Sequence, residues 1–274
     1  MPYLGVEQFD LFHTLHSGQL FRFWNQDDWW WIAHQDQFFK IRQQKNRLSF
    51  QGTKRSTINS FFRLDEDHAQ TRWAIRKDAS IEQALLSCPG LRIMRQDPWE
   101  CSMAFILSSN SNIKRIQGCM NKFAYSFGDP IELEGRIAFS FPTHQEFTKE
   151  ELRGLRAGYR TKYLADASRI LTPVFFDILK ELPYAEARKT LCAVSGIGPK
   201  VADCILLFSL GRLDAFPVDV WIRKILQQTY KTGKTTDQKL SVFGRNYFGP
   251  LAGYAQQYLY HWGRIQAGKV SVVE

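Results

Sequence analysis

The chain spaces none of its cysteines as a CxxC pair, has no apolar run long enough to span a membrane, and shows neither an internal repeat nor a low-complexity linker. Each absence removes a class of function. The five cysteines, Cys88, Cys101, Cys119, Cys192 and Cys204, stand mostly among apolar neighbours, which argues against a disulfide framework or a zinc site and for reduced, intracellular thiols. His13 and His16 would share a face if that stretch is helical, but no cysteine or carboxylate completes a ligand set, so no metal is expected. The start, "MPYLGVEQFDLFHTLHSGQ", lacks a basic stretch followed by an apolar one. Neither leader nor anchor is expected, and the absence of a long basic tail points to a bacterial or archaeal cytoplasm, or to the nucleus if the source is eukaryotic. Acidic residues are in deficit, 27 against 36 Lys and Arg, for a net charge of +9. That balance favours a polyanionic partner such as nucleic acid, although it also serves solubility.

What is present falls into two parts. From Gln19 to Gln51, "QLFRFW", "WWWIAH", "QFFKIRQ" and "RLSFQG" are separated by Asn, Asp and Gln, the pattern of antiparallel strands joined by tight turns. Trp29, Trp30 and Trp31 read as packing on two sheet faces rather than as a base-stacking platform. After Gly52 the spacing lengthens to that of helices, and beyond Asp97 nearly every segment reads as helix, broken at Gly, Pro and Ser. The expected class is α+β: an antiparallel sheet with accompanying helices over 1–95, packed on a mostly α-helical body over 96–274.

Within that body, "YAEARKTLCAV" sets Ala187, Leu191 and Val194 on one face, and "KVADCILLFSL" does the same with Val201, Ile205 and Phe208. Only "SGIGP" separates these two helices. Gly196 and Gly198 can supply positive φ and close approach, and Pro199 suits a first helical turn. The hairpin's exposed N–H groups and the following helix N-terminus make a nest for a phosphate, a contact that holds DNA without reading sequence. An ordinary helix connection that binds nothing is the alternative.

Lys200 is the first exposed side chain of the second helix, and Cys204 lies one turn on over the same face. Asp219 follows 19 residues later in "AFPVDVWIRKIL", at the mouth of another amphipathic helix. That separation suffices for one helix and a return loop to bring both residues into one cleft. Asp219 also reads as an N-cap, and capping would keep its carboxylate ionised, as stabilisation of a cationic sugar requires. Schiff-base chemistry needs a neutral amine, which partial desolvation at a helix N-terminus favours. A lysine beside an aspartate fits attack at a sugar C1′.

The hairpin, the lysine and "PVD" resemble the helix-hairpin-helix DNA glycosylases of the HhH-GPD superfamily, and within them the 8-oxoguanine DNA glycosylase/abasic-site lyase family. The resemblance runs from about Ser17 to Tyr260, through "SGQLFRFW", "RQDPWECSMAFILSSNSNIKRI", "LRAGYRTKY", "SGIGPKVADC", "PVDVW" and "GPLAGYAQQYLY". It implies a TBP-like sheet domain over 1–95 and a catalytic domain over 96–274 whose C-terminal helix completes a base pocket. Lys200 would be the nucleophile and Asp219 the stabiliser of positive charge. Gly18, placed by the resemblance in the first strand, would offer its carbonyl to the N7 hydrogen that oxidised guanine has and guanine lacks. The flipped base would lie between Cys204 and Tyr260, with Gln256 on its pairing edge and Pro217 nearby. Asn110, Arg115 and Arg160 would hold the estranged cytosine, Tyr159 would enter the stack, and Gly196, Ile197, Gly198 and Val201 would hold the strand. From their positions alone, Arg115 and Arg160 would be solvated charges and Asn110 the cap of "NIKRIQG".

The chain departs from the family in having Tyr260 where Phe is usual, and in having Trp221 and Gly263 where the eukaryotic members pair His with Asp. The double change reads as an alternative packing solution. All five cysteines precede Asp219, so the four-cysteine cluster of the endonuclease III branch is missing and no iron-sulfur cluster or other cofactor is expected. The expected partner is duplex DNA carrying oxidised guanine, bound by a monomer with no membrane association. A monofunctional alkylpurine glycosylase, which would not need Lys200, and a noncatalytic DNA-holding hairpin are the competing readings.

Overall fold

The computed structural model describes residues 2–270. The aromatic segments form strands β2 (Phe23–Gln26), β3 (Trp29–His34), β4 (Gln37–Gln44) and β5 (Arg47–Gln51), joined by β1 (Tyr3–Gly5) into an antiparallel sheet of order β1-β5-β4-β3-β2. Their turns are tight because Asp27 (φ 53°) and Asp28 (φ 60°) both take left-handed backbone, whose twist matches that of the flanking strands. Alternation then divides the tryptophans. Trp30 faces the cluster of Leu15, Ile32 and Ile41, whereas Trp29 and Trp31 face the other side.

That other side is covered by a second hairpin, β6 (Pro130–Leu133) and β7 (Arg136–Phe139), which corrects the expectation of an almost wholly helical second part. Its Ile131, Leu133 and Ala138 pack on Trp29 and Trp31, and Lys40 pairs with Glu134 at its turn. Apolar surface this large requires a cover, and "PIELEGRIAF" supplies two short strands around a Glu134–Gly135 turn.

The helices are α1 (Leu11–His16), α2 (Arg55–Phe61), α3 (His68–Ile75), α4 (Ala79–Ser87), α5 (Pro98–Leu107), α6 (Ile113–Phe127), α7 (Arg160–Ile170), α8 (Pro173–Glu181), α9 (Tyr184–Cys192), α10 (Pro199–Phe208), α11 (Val220–Thr229), α12 (Asp237–Phe248) and α13 (Ala252–Gln266). The "KEELRGL" segment forms a 3-10 turn instead of an α-helix and stops where Arg156 adopts left-handed φ of 54°. Helices α5 and α10 run through the centre: every residue from Trp99 to Leu107 and from Val201 to Phe208 is buried. Phe105 and Phe208 stack between them with centroids 5.3 Å apart. No described helix is long and apolar enough to cross a membrane.

A buried carboxylate ties the sheet to the body. Glu100 on α5 accepts from Arg22 at 3.1 Å and from the Gln35 N–H at 2.8 Å, and lies 3.2 Å from His34. Burial pushes this carboxyl up, but Arg22, His34 and the Gln35 N–H outweigh it and hold it at about 2.

His13 and His16, expected to share a face with no cysteine or carboxylate to complete a ligand set, instead part company, and His13 meets a cysteine. His13, Cys88 and His261 bring donor atoms within 4.8 Å of one another, joining α1, the end of α4 and α13. His13 Nδ1 lies 3.1 Å from His261 Nε2, a hydrogen bond between two imidazoles. Burial pushes His261 down to about 3, lowers His13 as well, and pushes the Cys88 thiol up to about 12. His16 turns away and stacks on Phe12 at 4.2 Å.

Candidate active site

Local geometry explains the hairpin between α9 and α10. Gly196 has φ +87°, and a Cβ there would stand 2.4 Å from Tyr163 Cβ, so only glycine fits. Gly198, contrary to expectation, is extended (φ −86°, ψ 177°) and caps α10; a Cβ there would meet nothing within 4 Å. Its bareness leaves room for something outside the chain. Ile197 is withdrawn from any such contact, because its side chain is buried and its N–H donates to the Val194 carbonyl at 3.0 Å. Val201 also buries its side chain and can face outward only through its first-turn N–H.

Beside the hairpin opens a cleft of about 920 Å³, lined among others by Gly18, Phe105, Ser108, Lys200, Asp219 and Tyr260. Lys200 is half-buried instead of exposed: its Nζ donates to Ser108 Oγ at 3.0 Å and lies 5.0 Å from the Phe105 ring centroid. Cys204 lies buried one turn on, where burial pushes its thiol up to about 12 against the pull of Lys200. Asp219 caps α11, its Oδ1 accepting from Trp221 N at 3.0 Å and Ile222 N at 2.9 Å. Capping does not dominate its ionisation as the sequence suggested. Burial pushes the carboxyl above its ordinary value, and the two N–H groups and Lys200 only pull it part of the way back.

Gly18 lies in a bend between α1 and β2, not in a strand, with φ +75°. The bend is fixed from both sides: Gln257 Nε2 donates to the Ser17 carbonyl at 2.7 Å, and the Gln19 side chain bridges the Arg92 carbonyl and the Met94 N–H, both at 2.8 Å. The Tyr260 ring closes against Gly18, with Arg264 5.4 Å from its centroid. Gln256, Cys204 and Pro217 are buried behind the cleft wall rather than lining it. Gln256 Oε1 is buried with no hydrogen-bond partner among the described residues. An acceptor left in that state is costly unless a ligand pairs with it.

Against the loop that follows α5, Arg160 is buried where a solvated charge was expected. Its Nε donates to the Ser109 carbonyl at 2.7 Å, its Nη2 to the Ser109 and Asn110 carbonyls, and its Nη1 to Ala157. Tyr159 is 54% exposed, with its hydroxyl 3.3 Å from the Ser109 carbonyl. Asn112, not Asn110, caps α6, accepting from Arg115 N at 2.9 Å; Asn110 stands exposed on the cleft with φ 47°. The Arg115 side chain is exposed nearby.

Residues 3–101 match the family model of the 8-oxoguanine DNA glycosylase N-terminal domain, and residues 103–244 match that of the HhH-GPD superfamily base excision DNA repair proteins. The chain belongs to the 8-oxoguanine glycosylase branch of that superfamily. A probable N-glycosylase/DNA lyase of Methanothermobacter thermautotrophicus is 34% identical over 239 residues, 78% of this chain and 76% of its own. The N-glycosylase/DNA lyase of Saccharomyces cerevisiae is 35% identical over 66% of this chain, which spans 53% of the yeast protein. The Clostridium acetobutylicum 8-oxoguanine glycosylase/lyase, solved with double-stranded DNA containing cytosine opposite 8-oxoguanine, superposes with a TM-score of 0.91 at 31% identity, over 96% of this chain and 94% of that one.

Gly263 and Trp221 lie on α13 and α11, which pack together. A Cβ on Gly263 would stand 2.7 Å from Ile225 Cδ1, the movable tip of a side chain on α11, while Trp221 borders the cleft. Sequence reasoning missed Ser108 and the buried Asp203, which accepts from Tyr184 Oη at 2.6 Å and Arg188 Nε at 2.8 Å and so locks α10 to α9. The signal for Asp203 was available: an acid within an otherwise apolar helix demands buried partners.

Proposed function

We infer that the protein is a bifunctional DNA glycosylase and abasic-site lyase that removes 8-oxoguanine paired with cytosine from duplex DNA. The observation that carries this reading is that Lys200 and the capped Asp219 line one cleft beside the glycine hairpin. The Lys200 amine attacks C1′ of a flipped nucleotide, and the bond from C1′ to the base breaks with its electron pair on the departing base. Ring opening and loss of the nitrogen proton give the Schiff base, after which removal of a C2′ hydrogen expels the 3′ phosphate. Asp219 offsets the positive charge that develops on the sugar.

Recognition follows the same division of labour. The Gly18 carbonyl accepts the lesion's N7 hydrogen and Tyr260 stacks on one face of the ring; entry of the base uncovers Gln256, which meets the pairing edge, and Cys204, which takes the other face, with Pro217 behind. Asn110, Arg115 and Arg160 hold the cytosine, Tyr159 fills the vacated stack, and backbone N–H groups at Gly196, Gly198 and Val201 take a phosphate. We place the domain division at 1–95 and 96–274, and the site of action wherever the genome lies, nucleoid or nucleus. The half-buried Lys200 amine favours this reading over a monofunctional alkylpurine glycosylase. The test is a labelled duplex with 8-oxoguanine opposite cytosine. Strand cleavage without added alkali is expected; cleavage only after alkali would leave a glycosylase without lyase activity, and an intact strand in both would leave only DNA binding.

A further inference from the structure

We propose that Ser108 is a positioning residue that couples reading of the opposite base to release of the Lys200 amine, through the short loop Ser108–Asn110. This rests on the functional reading above. Ser108 ends α5, and its Oγ donates its only hydrogen to the Phe105 carbonyl at 2.6 Å. Only acceptor capacity remains, and Lys200 Nζ fills it at 3.0 Å. The next two residues answer to the start of α7: the Ser109 carbonyl takes Arg160 Nε and Nη2 as well as the Tyr159 hydroxyl, and the Asn110 carbonyl takes Arg160 Nη2 at 2.8 Å. One loop therefore holds the nucleophile at its first residue and the proposed cytosine reader at its next two.

All three guanidinium nitrogens of Arg160 are engaged by carbonyls of this loop and of Ala157. To place two donors on cytosine's acceptor edge, Arg160 must give up loop carbonyls, since its donors are fixed in one planar fork. The loop then moves, and Ser108 moves with it off the Lys200 amine. A base without cytosine's acceptor pair draws Arg160 less, the loop stays closed, and the amine stays tied to Ser108. Selectivity for the opposite base thus operates on the chemical step as well as on binding.

The test is single-turnover excision from duplexes with 8-oxoguanine opposite cytosine or adenine, using the wild type, Ser108→Ala and Ser108→Thr. Ser108→Ala is expected to lower the cytosine-to-adenine rate ratio about tenfold, the order of one hydrogen bond, by raising the adenine rate. Ser108→Thr, which keeps the hydroxyl, is expected to retain the wild-type ratio. An equal change opposite both bases, a wild-type ratio near one, or failure of Ser108→Thr to rescue overturns the coupling. Should Ser108→Ala not fold, hydrogen exchange on the wild type bound to a tetrahydrofuran site decides. Faster exchange in residues 108–112 opposite cytosine than opposite adenine is expected, and equal exchange overturns the proposal. If the wild type releases no base opposite cytosine, the functional reading fails; if it prefers cytosine but the ratio survives Ser108→Ala, only the coupling fails.

Discussion

A methyl group placed on Gly18 would lie 3.0 Å from the hydroxyl of Tyr260, at a backbone φ of +75°. Both the contact and the left-handed conformation resist a side chain, the latter by about 1–2 kcal/mol. Gly18→Ala is therefore expected to shift the bend and with it the carbonyl proposed to accept the lesion's N7 hydrogen. Excision of 8-oxoguanine is expected to fall about tenfold or more, as one buried hydrogen bond allows, while cleavage at a preformed abasic site changes little. Equal losses in the two assays would remove the carbonyl contact from the account.

Asp219→Asn separates charge from capping. Asparagine caps helices about as well as aspartate, so the Trp221 and Ile222 N–H groups keep an acceptor. Because burial raises the Asp219 carboxyl above its unfolded value, its ionisation costs stability as pH rises through the folded value, and the amide removes that cost at neutral pH. The melting temperature is expected to hold or rise while excision slows by about two to four orders of magnitude. A marked drop in melting temperature with excision intact would make the cap its main role.

Glu100 has the opposite linkage. Its carboxyl is held at about 2 in the fold, below the unfolded value, so its stabilisation is complete above the unfolded value and is lost as pH falls toward 2. Glu100→Gln leaves Arg22 buried without its countercharge, which costs about 3–5 kcal/mol. Thermal melts are expected to show a loss of about 10 °C at pH 7 that narrows toward pH 2. A loss independent of pH would mean that packing, not charge, joins sheet to body.

Gln256 carries an amide oxygen that is buried without a partner, so removing it forfeits no bond within the protein. Gln256→Leu is expected to leave the melting temperature within about 3 °C, the order of 1 kcal/mol for a chain of this size, while excision falls tenfold or more. Retained excision would show that the amide does not meet the base.

The sheet and the glycine hairpin were legible because alternation and punctuation are local signals: the tryptophans divide between faces, and Gly196 does need positive φ. The β6–β7 hairpin was not, since its strands are short and exist to cover Trp29 and Trp31, a demand visible only once the sheet is built. Lys200 and Asp219 could be placed in one cleft from their separation, but the burial that raises Asp219 could not. Arg160 looked like a solvated helix charge because its partners are backbone carbonyls 50 and 51 residues away, and carbonyls leave no trace in side-chain composition. Ser108 was missed because its partner is Lys200, 92 positions away, and a serine ending a helix carries no sign of so distant a contact.

The central claim is that Lys200 is the nucleophile, and borohydride trapping on a duplex with 8-oxoguanine opposite cytosine tests it most directly. The wild type is expected to form a covalent adduct, and Lys200→Gln is expected to form none while still binding the same duplex, because the hairpin N–H groups remain. An adduct with Lys200→Gln, or base release at the wild-type rate, would contradict the account.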